Sequence, residues 1–201
     1  MSKIVLASNN KHKIKEFERI LIKENFDLVP QSKLGIQEIE ETGLTFVENS
    51  ILKARNASFL SKLPAIADDS GIEVDALNGR PGIYSARYAG VNCDDNANNK
   101  LLLNELKNIP FANRSARYQC TIVYLPTYDH PVPKIFNAAW EGYIGTQEIG
   151  ENGFGYDPLF FVPEYNCTAA ELTEQVKNAI SHRGLALELF KTEFSQRIKK
   201  K

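Results

Sequence analysis

The sequence predicts a single α/β domain built on a mixed β-sheet, and three observations lead to this prediction. Short apolar runs typical of buried strands alternate along the chain with stretches of helical periodicity. Two strand-like runs, 117–125 and 136–144, are joined by a turn-rich segment, which indicates a hairpin and therefore an antiparallel pair. The 201 residues suffice for one packed domain, or for two lobes of one domain, but not for two large independent domains.

A strand, a polar loop and a helix are predicted at the amino terminus. The apolar run Ile4–Ala7 fits a buried strand, and the polar residues 8–10 that follow it fit a loop. Asn10 is of a type that caps helices. Apolar residues then recur at helical spacing, at Ile14, Phe17 and Leu21. A second strand is predicted over residues 26–29.

A capping box marks the next helix. Thr45 and Glu48 have the spacing at which a hydroxyl and a carboxylate cap a helix start reciprocally. We expect this helix to run to about residue 62, with one apolar face formed by Val47, Ile51 and Ala54. The short apolar run 64–67 then predicts a third strand, which we expect to end on Asp68-Asp69.

The second half of the chain is predicted to open with a structured loop over residues 79–90, rich in Gly, Pro, Tyr and Arg. Either Asp94 or Asp95 is suited to cap the helix that follows. After the hairpin come a glycine-rich loop over 150–158 and a short strand over 159–162. A last helix begins near Ser181 and is expected to bury Leu187, Phe190, Phe194 and Ile198.

Composition disfavours several functional classes. Lys and Arg number 24 against 25 Asp and Glu, a net charge of −1 that is unlike a polybasic nucleic-acid-binding surface. The three cysteines form no CxxC pair, so we expect free thiols in a reducing compartment. No apolar stretch approaches the roughly 18 residues that a membrane span needs, and the amino-terminal apolar run is too short for a signal peptide. We therefore expect a cytoplasmic protein with no membrane and no nucleic-acid partner.

Two polar segments in the first half carry residues suited to a phosphorylated ligand and a metal. Segment 8–13 combines helix N-terminal N–H groups with lysines, which suits a polyphosphate, although a solvated basic turn is the commoner interpretation. Carboxylates crowd at 38–41 and at Asp68-Asp69, and paired hard oxygens are what Mg²⁺ takes from proteins. A solvated acidic turn and a helix cap are the structural alternatives.

Two segments in the second half are suited to a nucleobase. Glycines in 153–158 permit close backbone approach, and the two aromatics there could stack on a base, or else belong to the core. Lys177-Asn178 and 181–183 place donors near a helix start, where the alternative is a simple cap with solvent-facing side chains. No GxxxxGK[ST], GxGxxG or GxSxG motif occurs, which disfavours a P-loop NTPase, a dinucleotide fold and a covalent hydrolase.

Taken in order, these segments resemble the inosine triphosphate pyrophosphatases, the RdgB-like enzymes that hydrolyse noncanonical purine nucleoside triphosphates. The resemblance covers nearly the whole chain. The matching segments are SNNKHK at 8–13, EETGLTFVENSILKA at 40–54, ADDSG at 67–71, PGIYSARYAG at 81–90, GFGYDPLFF at 153–161, TAAELT at 168–173 and KNAISHRG at 177–184. Ser8 stands where many members carry Thr, which keeps the hydroxyl.

The resemblance implies a fold and a reaction. The implied fold is a two-lobed α/β domain spanning residues 1–201, with a long mixed sheet flanked by helices, a cleft between the lobes, and usually a homodimer. The implied reaction is Mg²⁺-dependent hydrolysis of ITP, dITP and XTP to a monophosphate and pyrophosphate, which removes deaminated purines from the nucleotide pool.

The resemblance also implies a role for individual residues. The phosphates would be held by Ser8, Asn9, Asn10, Lys11, His12, Lys13 and Lys53. Glu40 or Glu41 would bind the metal together with Asp69, which would also accept the proton of the attacking water, and Ser70 would contact the substrate. The base would be enclosed by Phe154, Gly155, Tyr156 and Asp157, and its 6-oxo edge would be read by His182 and Arg183. Lys177 would reach either the base or the ribose-phosphate.

Three alternatives stay open beside this interpretation. A Maf-like nucleotide pyrophosphatase acting on pyrimidine or modified nucleotides fits the phosphate loop but not the purine-reading segment. A nucleotide-binding sensor without turnover has no need of the carboxylates, and an RNA-binding protein would have to use the basic terminus 197–201. In the favoured interpretation, the near-zero net charge is the sum of two local sets of opposite sign. The phosphate-binding set is Lys11, Lys13, Lys53 and Lys177, and the metal-binding set is Glu40, Glu41, Asp68 and Asp69.

Overall fold

The computed structural model describes residues 2–21, 26–90 and 94–198. Within these ranges the strands are β1 Ser2–Leu6, β2 Phe26–Pro30, β3 Ala65–Val74, β4 Ser115–Leu125, β5 Lys134–Ile144, β6 Phe160–Val162 and β7 Cys167–Thr168. The α-helices are α1 Lys11–Leu21, α2 Phe46–Ser61, α3 Asp95–Leu106, α4 Glu174–Ile180 and α5 His182–Ile198. Across the described part of the chain, no helix is long and apolar enough to cross a bilayer.

The seven strands form one mixed sheet in the order β2-β1-β3-β4-β5-β6-β7. Strand β1 runs parallel to both neighbours, with Val5 opposite Ala65 in β3. Strand β6 runs antiparallel to β5 and to β7. The α/β class and the mixed sheet predicted from the sequence are therefore confirmed.

The chain divides into two compact units. Unit 1 comprises residues 1–69, 120–138 and 183–201, and unit 2 comprises 70–119 and 139–182. The organisation of both as a single domain with a cleft stays a prediction.

The core of unit 1 follows the two-residue alternation of its strands. Ile4 and Leu6 of β1 pack in one cluster with Phe17 of α1 and with Phe190 of α5. Val5 enters a second cluster, which contains Ala54 and Ala57 of α2. Because successive side chains of a strand point to opposite faces, both faces of β1 are buried, which explains its continuous apolar run.

Unit 2 has its own core, built around large aromatic side chains. Ile72 and Val74 from the second half of β3 pack there with Leu102 of α3. Tyr118, Trp140 and Phe160 belong to the same cluster, with ring centroids 4.7 Å apart for Tyr118 and Phe160. This core supports the loop 150–158, because Tyr156 is one of its members.

Three helix starts predicted from capping residues are confirmed. The Asn10 side chain accepts hydrogen bonds from the N–H groups of His12 and Lys13 at the start of α1. Thr45 accepts from the Glu48 N–H at the start of α2. Asp94, rather than Asp95, caps α3. Caps are predictable because they depend on a few consecutive residues.

The expected end of β3 at Asp68-Asp69 is wrong, since the strand continues through both residues to Val74. An apolar run need not end at a charge when the charge finds partners, and here Lys13 and Lys53 supply them. Two short elements, α4 and β7, were not predicted. The side chain of Ile198, the thiol of Cys93 and most of the basic terminus, residues 199–201, lie outside what the structure describes.

Candidate active site

The loop between β1 and α1 is held in shape by its own side chains. Ser8 is buried and its hydroxyl accepts from the Asn10 N–H at 3.2 Å. Asn10 Oδ1 accepts from the His12 N–H at 2.9 Å and the Lys13 N–H at 3.2 Å. The Asn9 N–H donates to Glu38 at 3.2 Å, and Lys11 and His12 are exposed. The loop thus presents a capped helix start beside exposed basic side chains, an arrangement that favours anions.

Asp68 is the centre of a buried ionic network. Its Oδ2 accepts from Lys13 Nζ at 3.0 Å and from Arg183 Nε and Nη2 at 3.2 and 3.1 Å. Arg183, 2% exposed, also donates to Glu16 at 2.5 Å. Burial alone would raise the pKa of Asp68, but the charges of Lys13 and Arg183 outweigh it and hold that pKa well below its usual range. The network therefore favours the ionised form of Asp68.

The neighbouring Asp69 has a different environment. Its Oδ1 accepts from Lys53 Nζ at 3.1 Å, and its Oδ2 accepts from the Asn49 side-chain amide at 3.3 Å. Burial, assisted by the negative charge of Glu41, raises the pKa of Asp69 above its usual value despite the opposing effect of Lys53. Adjacent carboxyls with pKa values moved in opposite directions are typical of acid–base sites.

Lys53 joins Asp69 to the acidic loop that precedes α2. Its ammonium donates to Glu41 at 2.7 Å as well as to Asp69 at 3.1 Å. Burial lowers the pKa of Lys53, but Asp69 and Glu41 more than compensate and raise it, so the side chain stays charged. Glu40 is exposed, whereas Glu41 is partly buried. Of the two candidate metal ligands, Glu41 is the one that lies beside Lys53 with Asp69.

These donors fit a magnesium ion that shares its coordination with phosphate. Glu41 Oε1 and Asp69 Oδ1 both accept from the Lys53 ammonium, and Asp68 Oδ1 is buried without a hydrogen-bond partner. Among the described residues no three His, Cys, Asp or Glu side chains form a metal-binding group. Mg²⁺ takes only one or two protein carboxylates and completes its shell with water and substrate oxygens, so two carboxylates suffice.

In unit 2, Asp157 organises the glycine-rich loop. Its Oδ2 accepts from the Phe154 N–H at 2.9 Å and from Lys177 Nζ at 2.5 Å, and its Oδ1 accepts from the Tyr118 hydroxyl at 3.3 Å. Gly153 has φ +79, and a Cβ there would lie 2.0 Å from Asp157 Oδ2. Only glycine therefore lets the loop close on this carboxylate.

The aromatic residues of this loop divide between the core and the partly exposed surface. The Phe154 ring is partly buried and lies 5.0 Å from Lys177 Nζ, a cation–π distance. Tyr156 is 4% exposed, and its hydroxyl donates to the Ser85 carbonyl at 2.8 Å. The Gly155 N–H donates to Asp95 at 2.7 Å. Phe154 is thus the aromatic of the pair with ring surface available to a ligand.

His182 and Arg183 have separate surroundings although they are consecutive. The His182 ring stacks on Tyr118 in unit 2, with centroids 4.6 Å apart and planes at 6°. The Arg183 guanidinium belongs to the Asp68 network of unit 1. Their joint reading of a base edge stays a prediction.

Comparison with known proteins now identifies the chain. The profile of the Ham1 family matches residues 4–193. The chain belongs to the Ham1 family.

Members of this family with known names or structures are closely similar throughout. A dITP/XTP pyrophosphatase of Photorhabdus laumondii is 51% identical over 94% of this chain and 96% of its own length, and one of Salmonella typhi is 52% identical with the same coverage. A HAM1 protein of Coxiella burnetii, 46% identical, superposes with a TM-score of 0.91 over 98% of this chain and 100% of its own. The Ham1 protein of Staphylococcus aureus, 43% identical, gives 0.87 with the same coverage.

In this Ham1 family chain, the lysines and acids predicted for the site lie in pairs rather than in two separate sets. The lysines and acids are interleaved: Lys13 pairs with Asp68, Lys53 with Glu41 and Asp69, and Lys177 with Asp157. Ser70 follows these acids on β3 and is partly buried.

Two residues that contact the site, the buried Asn49 and the partly buried Glu16, were not predicted. Asn49 could have been found from its position one helical turn before Lys53, on the same face of α2. Glu16 had a similar signal, three residues after Lys13 on α1.

Proposed function

We propose that this chain hydrolyses the noncanonical purine nucleoside triphosphates ITP, dITP and XTP to monophosphate and pyrophosphate, with Mg²⁺, and thereby removes deaminated purines from the nucleotide pool. The observation that carries the proposal is the convergence of Glu41 and Asp69 on the Lys53 ammonium. This arrangement occurs in a chain that is about half identical in sequence to relatives named dITP/XTP pyrophosphatase.

The charge balance of the site residues in unit 1 supports the proposal of a divalent cation. We define the acid–lysine cluster by its three cations and four carboxylates: Lys13, Lys53, Arg183, Glu16, Glu41, Asp68 and Asp69. With every group ionised, the cluster carries one net negative charge and repels a triphosphate. One divalent cation reverses that sign. We propose Glu41 and Asp69 as its ligands, and when bound it would neutralise charge on the phosphate oxygens.

The phosphates would be held by the loop 8–13 and by the two lysines of the cluster. The N–H groups at the start of α1 lie at the positive end of the helix dipole, and the ammonium groups of Lys13 and Lys53 each add a positive charge. Both ammonium groups are already oriented by carboxylates, so little side-chain freedom is lost when phosphate arrives. We assign to the two ammonium groups the stabilisation of negative charge that develops at the α-phosphate.

Asp69 is proposed as the proton acceptor for the attacking water. Water attacks the α-phosphorus, the bond to the bridging oxygen breaks, pyrophosphate leaves, and the proton of the water passes to the Asp69 carboxylate. A carboxylate that lies beside the attacking water is the kind of group that acts as a general base. Lys53 and Asn49 each hold one of its oxygens, which sets the plane of the carboxylate.

Recognition of the base is proposed for the glycine-rich loop 153–157 and for segment 177–183. Hypoxanthine presents an O6 acceptor and an N1–H donor, whereas adenine presents the reverse pattern, so a site built for the first leaves its groups unpaired with the second. We propose that Phe154 stacks on the base, with Gly155, Tyr156 and Asp157 enclosing it and Lys177, His182 and Arg183 supplying the polar contacts. Ser70 is proposed to contact the substrate.

The test is a substrate panel with product separation. We expect pyrophosphate and monophosphate from ITP, dITP and XTP, with at least tenfold lower kcat/KM for ATP, whose base presents the reverse pattern. Release of orthophosphate without pyrophosphate would contradict the proposed reaction. Preference for pyrimidine nucleotides would instead favour the Maf-like alternative, and binding without turnover would favour a sensor.

The cellular setting of the enzyme stays a prediction. We propose a homodimer in the cytoplasm, where the nucleotide pool is. Light scattering after size exclusion would test the dimer, with a mass near 22.6 kDa contradicting it.

A further inference from the structure

The Asn49 side chain joins the proposed base, Asp69, to the acidic loop 38–44, which carries Glu41. We propose that Asn49 is a positioning residue that sets the relative placement of these two carboxylates. The inference rests on the proposed function, because Glu41 and Asp69 are the metal ligands proposed for that reaction. It concerns a residue that touches neither the substrate nor the metal in that proposal.

Both ends of the Asn49 amide are used. The side chain is 0% exposed, its Nδ2 donates to Asp69 Oδ2 at 3.3 Å, and its Oδ1 accepts from the Gly43 N–H at 2.8 Å. A neutral amide is the side chain that offers a donor and an acceptor together without adding charge. Aspartate in its place would lose the donor, and alanine would lose both contacts.

The acidic loop closes tightly on this amide. A Cβ on Gly43 would lie 2.7 Å from Asn49 Oδ1 and 2.6 Å from the Glu48 Cβ, closer than real side chains approach. Gly43 is two residues after Glu41, so its backbone position limits where the Glu41 carboxylate can lie. The loop and the amide are therefore built to fit each other.

Asn49 does not owe its burial to helix capping. The start of α2 is capped by Thr45, whose hydroxyl accepts from the Glu48 N–H, while Glu48 accepts from the Leu44 N–H and the Thr45 hydroxyl. The Asn49 side chain takes no part in that cap and contacts only Asp69 and the loop among the hydrogen bonds described for it. Removing it should leave the helix start intact.

The effect on catalysis should appear in turnover rather than in substrate binding. Lys53 and the loop 8–13 keep the phosphate contacts when Asn49 is changed, so KM should change by less than about threefold. Loss of a hydrogen-bond partner behind a ligating carboxylate typically costs 10–100-fold in activity or metal affinity, and we expect kcat to fall within that range.

The experiment compares Asn49→Ala and Asn49→Asp with Asn56→Ala, a matched control on the same helix. The Asn56 amide donates to the Gln37 carbonyl at 3.3 Å, away from Asp69, so its removal should leave kcat within about twofold of the parent. Steady-state turnover of ITP is measured per folded enzyme. Both Asn49 variants should lose about 10–100-fold in kcat, since both lack the donor.

A second measurement does not depend on activity. Amide hydrogen exchange at Gly43, followed by NMR in the free protein, should accelerate at least tenfold in Asn49→Ala and be unchanged in Asn56→Ala, because only the former removes the acceptor. If kcat of folded Asn49 variants stays within threefold of the parent, or if Gly43 exchange is unchanged, the proposal is overturned. An unmodified enzyme that releases no pyrophosphate would refute the proposed function, while the exchange comparison would still decide whether Asn49 holds the loop.

Discussion

Replacing Asp68 by asparagine removes the central charge of the buried network while keeping its shape. The carboxylate side chain is fully buried, and its Oδ2 accepts hydrogen bonds from the Lys13 ammonium and from two nitrogens of Arg183. The substitution leaves the guanidinium, itself 2% exposed, with Glu16 as its described carboxylate partner. The charge lost is therefore one that water cannot replace.

The loss in unfolding free energy caused by Asp68→Asn follows from this geometry. Removing one partner of a buried ion pair costs about 3–5 kcal/mol of unfolding free energy. Because Glu16 still pairs with Arg183 and the new amide oxygen still accepts, we expect the lower end, about 3 kcal/mol. For a chain of this length that corresponds to a melting temperature lower by about 6–12 °C.

Urea unfolding followed by circular dichroism measures this difference, and Asp75→Asn is the matched control. Asp75 also pairs with an arginine, Arg117, but at the surface, so its loss should cost less than about 1 kcal/mol. Equal effects of the two substitutions, or a change below about 1 kcal/mol for Asp68→Asn, would refute the view that the Asp68 network supports the fold.

Three further predictions concern the chemistry. Asp69→Asn should lower kcat about 10²–10⁴-fold with little change in nucleotide affinity, and near-normal turnover would exclude Asp69 as the base. Chelation of divalent metal should abolish pyrophosphate release and added Mg²⁺ should restore it, whereas activity that persists in chelator would contradict the charge argument. Burial raises the pKa of Cys120 to about 12, so iodoacetamide at pH 8 should label Cys167 well before Cys120, as read by peptide mass spectrometry; equal labelling would contradict that burial.

Local signals account for most of what the sequence predicted correctly about the fold. Asn10, Thr45 and Asp94 cap helices through contacts with residues two or three positions away, so a short window contains the cause. The end of β3 was wrong because the partners of Asp68 come from distant parts of the chain, as far as Arg183. The helix α4 was not predicted because its seven residues, capped by Thr173, are too few for a clear periodicity.

The same distinction applies to the candidate site. Glu41 and Asp69 belong to segments selected by residue type, Lys53 was predicted through the family resemblance, and the structure brings all three together. That lysines and acids pair directly, rather than forming separate sets, depends on tertiary packing that no spacing along the chain encodes. Asn49 and Glu16 were missed because their helical spacing from Lys53 and Lys13 was the single signal they offered, and spacing alone does not name the partners that the fold supplies.

The measurement that most directly tests the central claim is isotope placement during turnover of ITP in H₂¹⁸O. If water attacks the α-phosphorus, the label enters inosine monophosphate and none enters pyrophosphate. Label found in pyrophosphate, or in orthophosphate released from the triphosphate, would contradict the account.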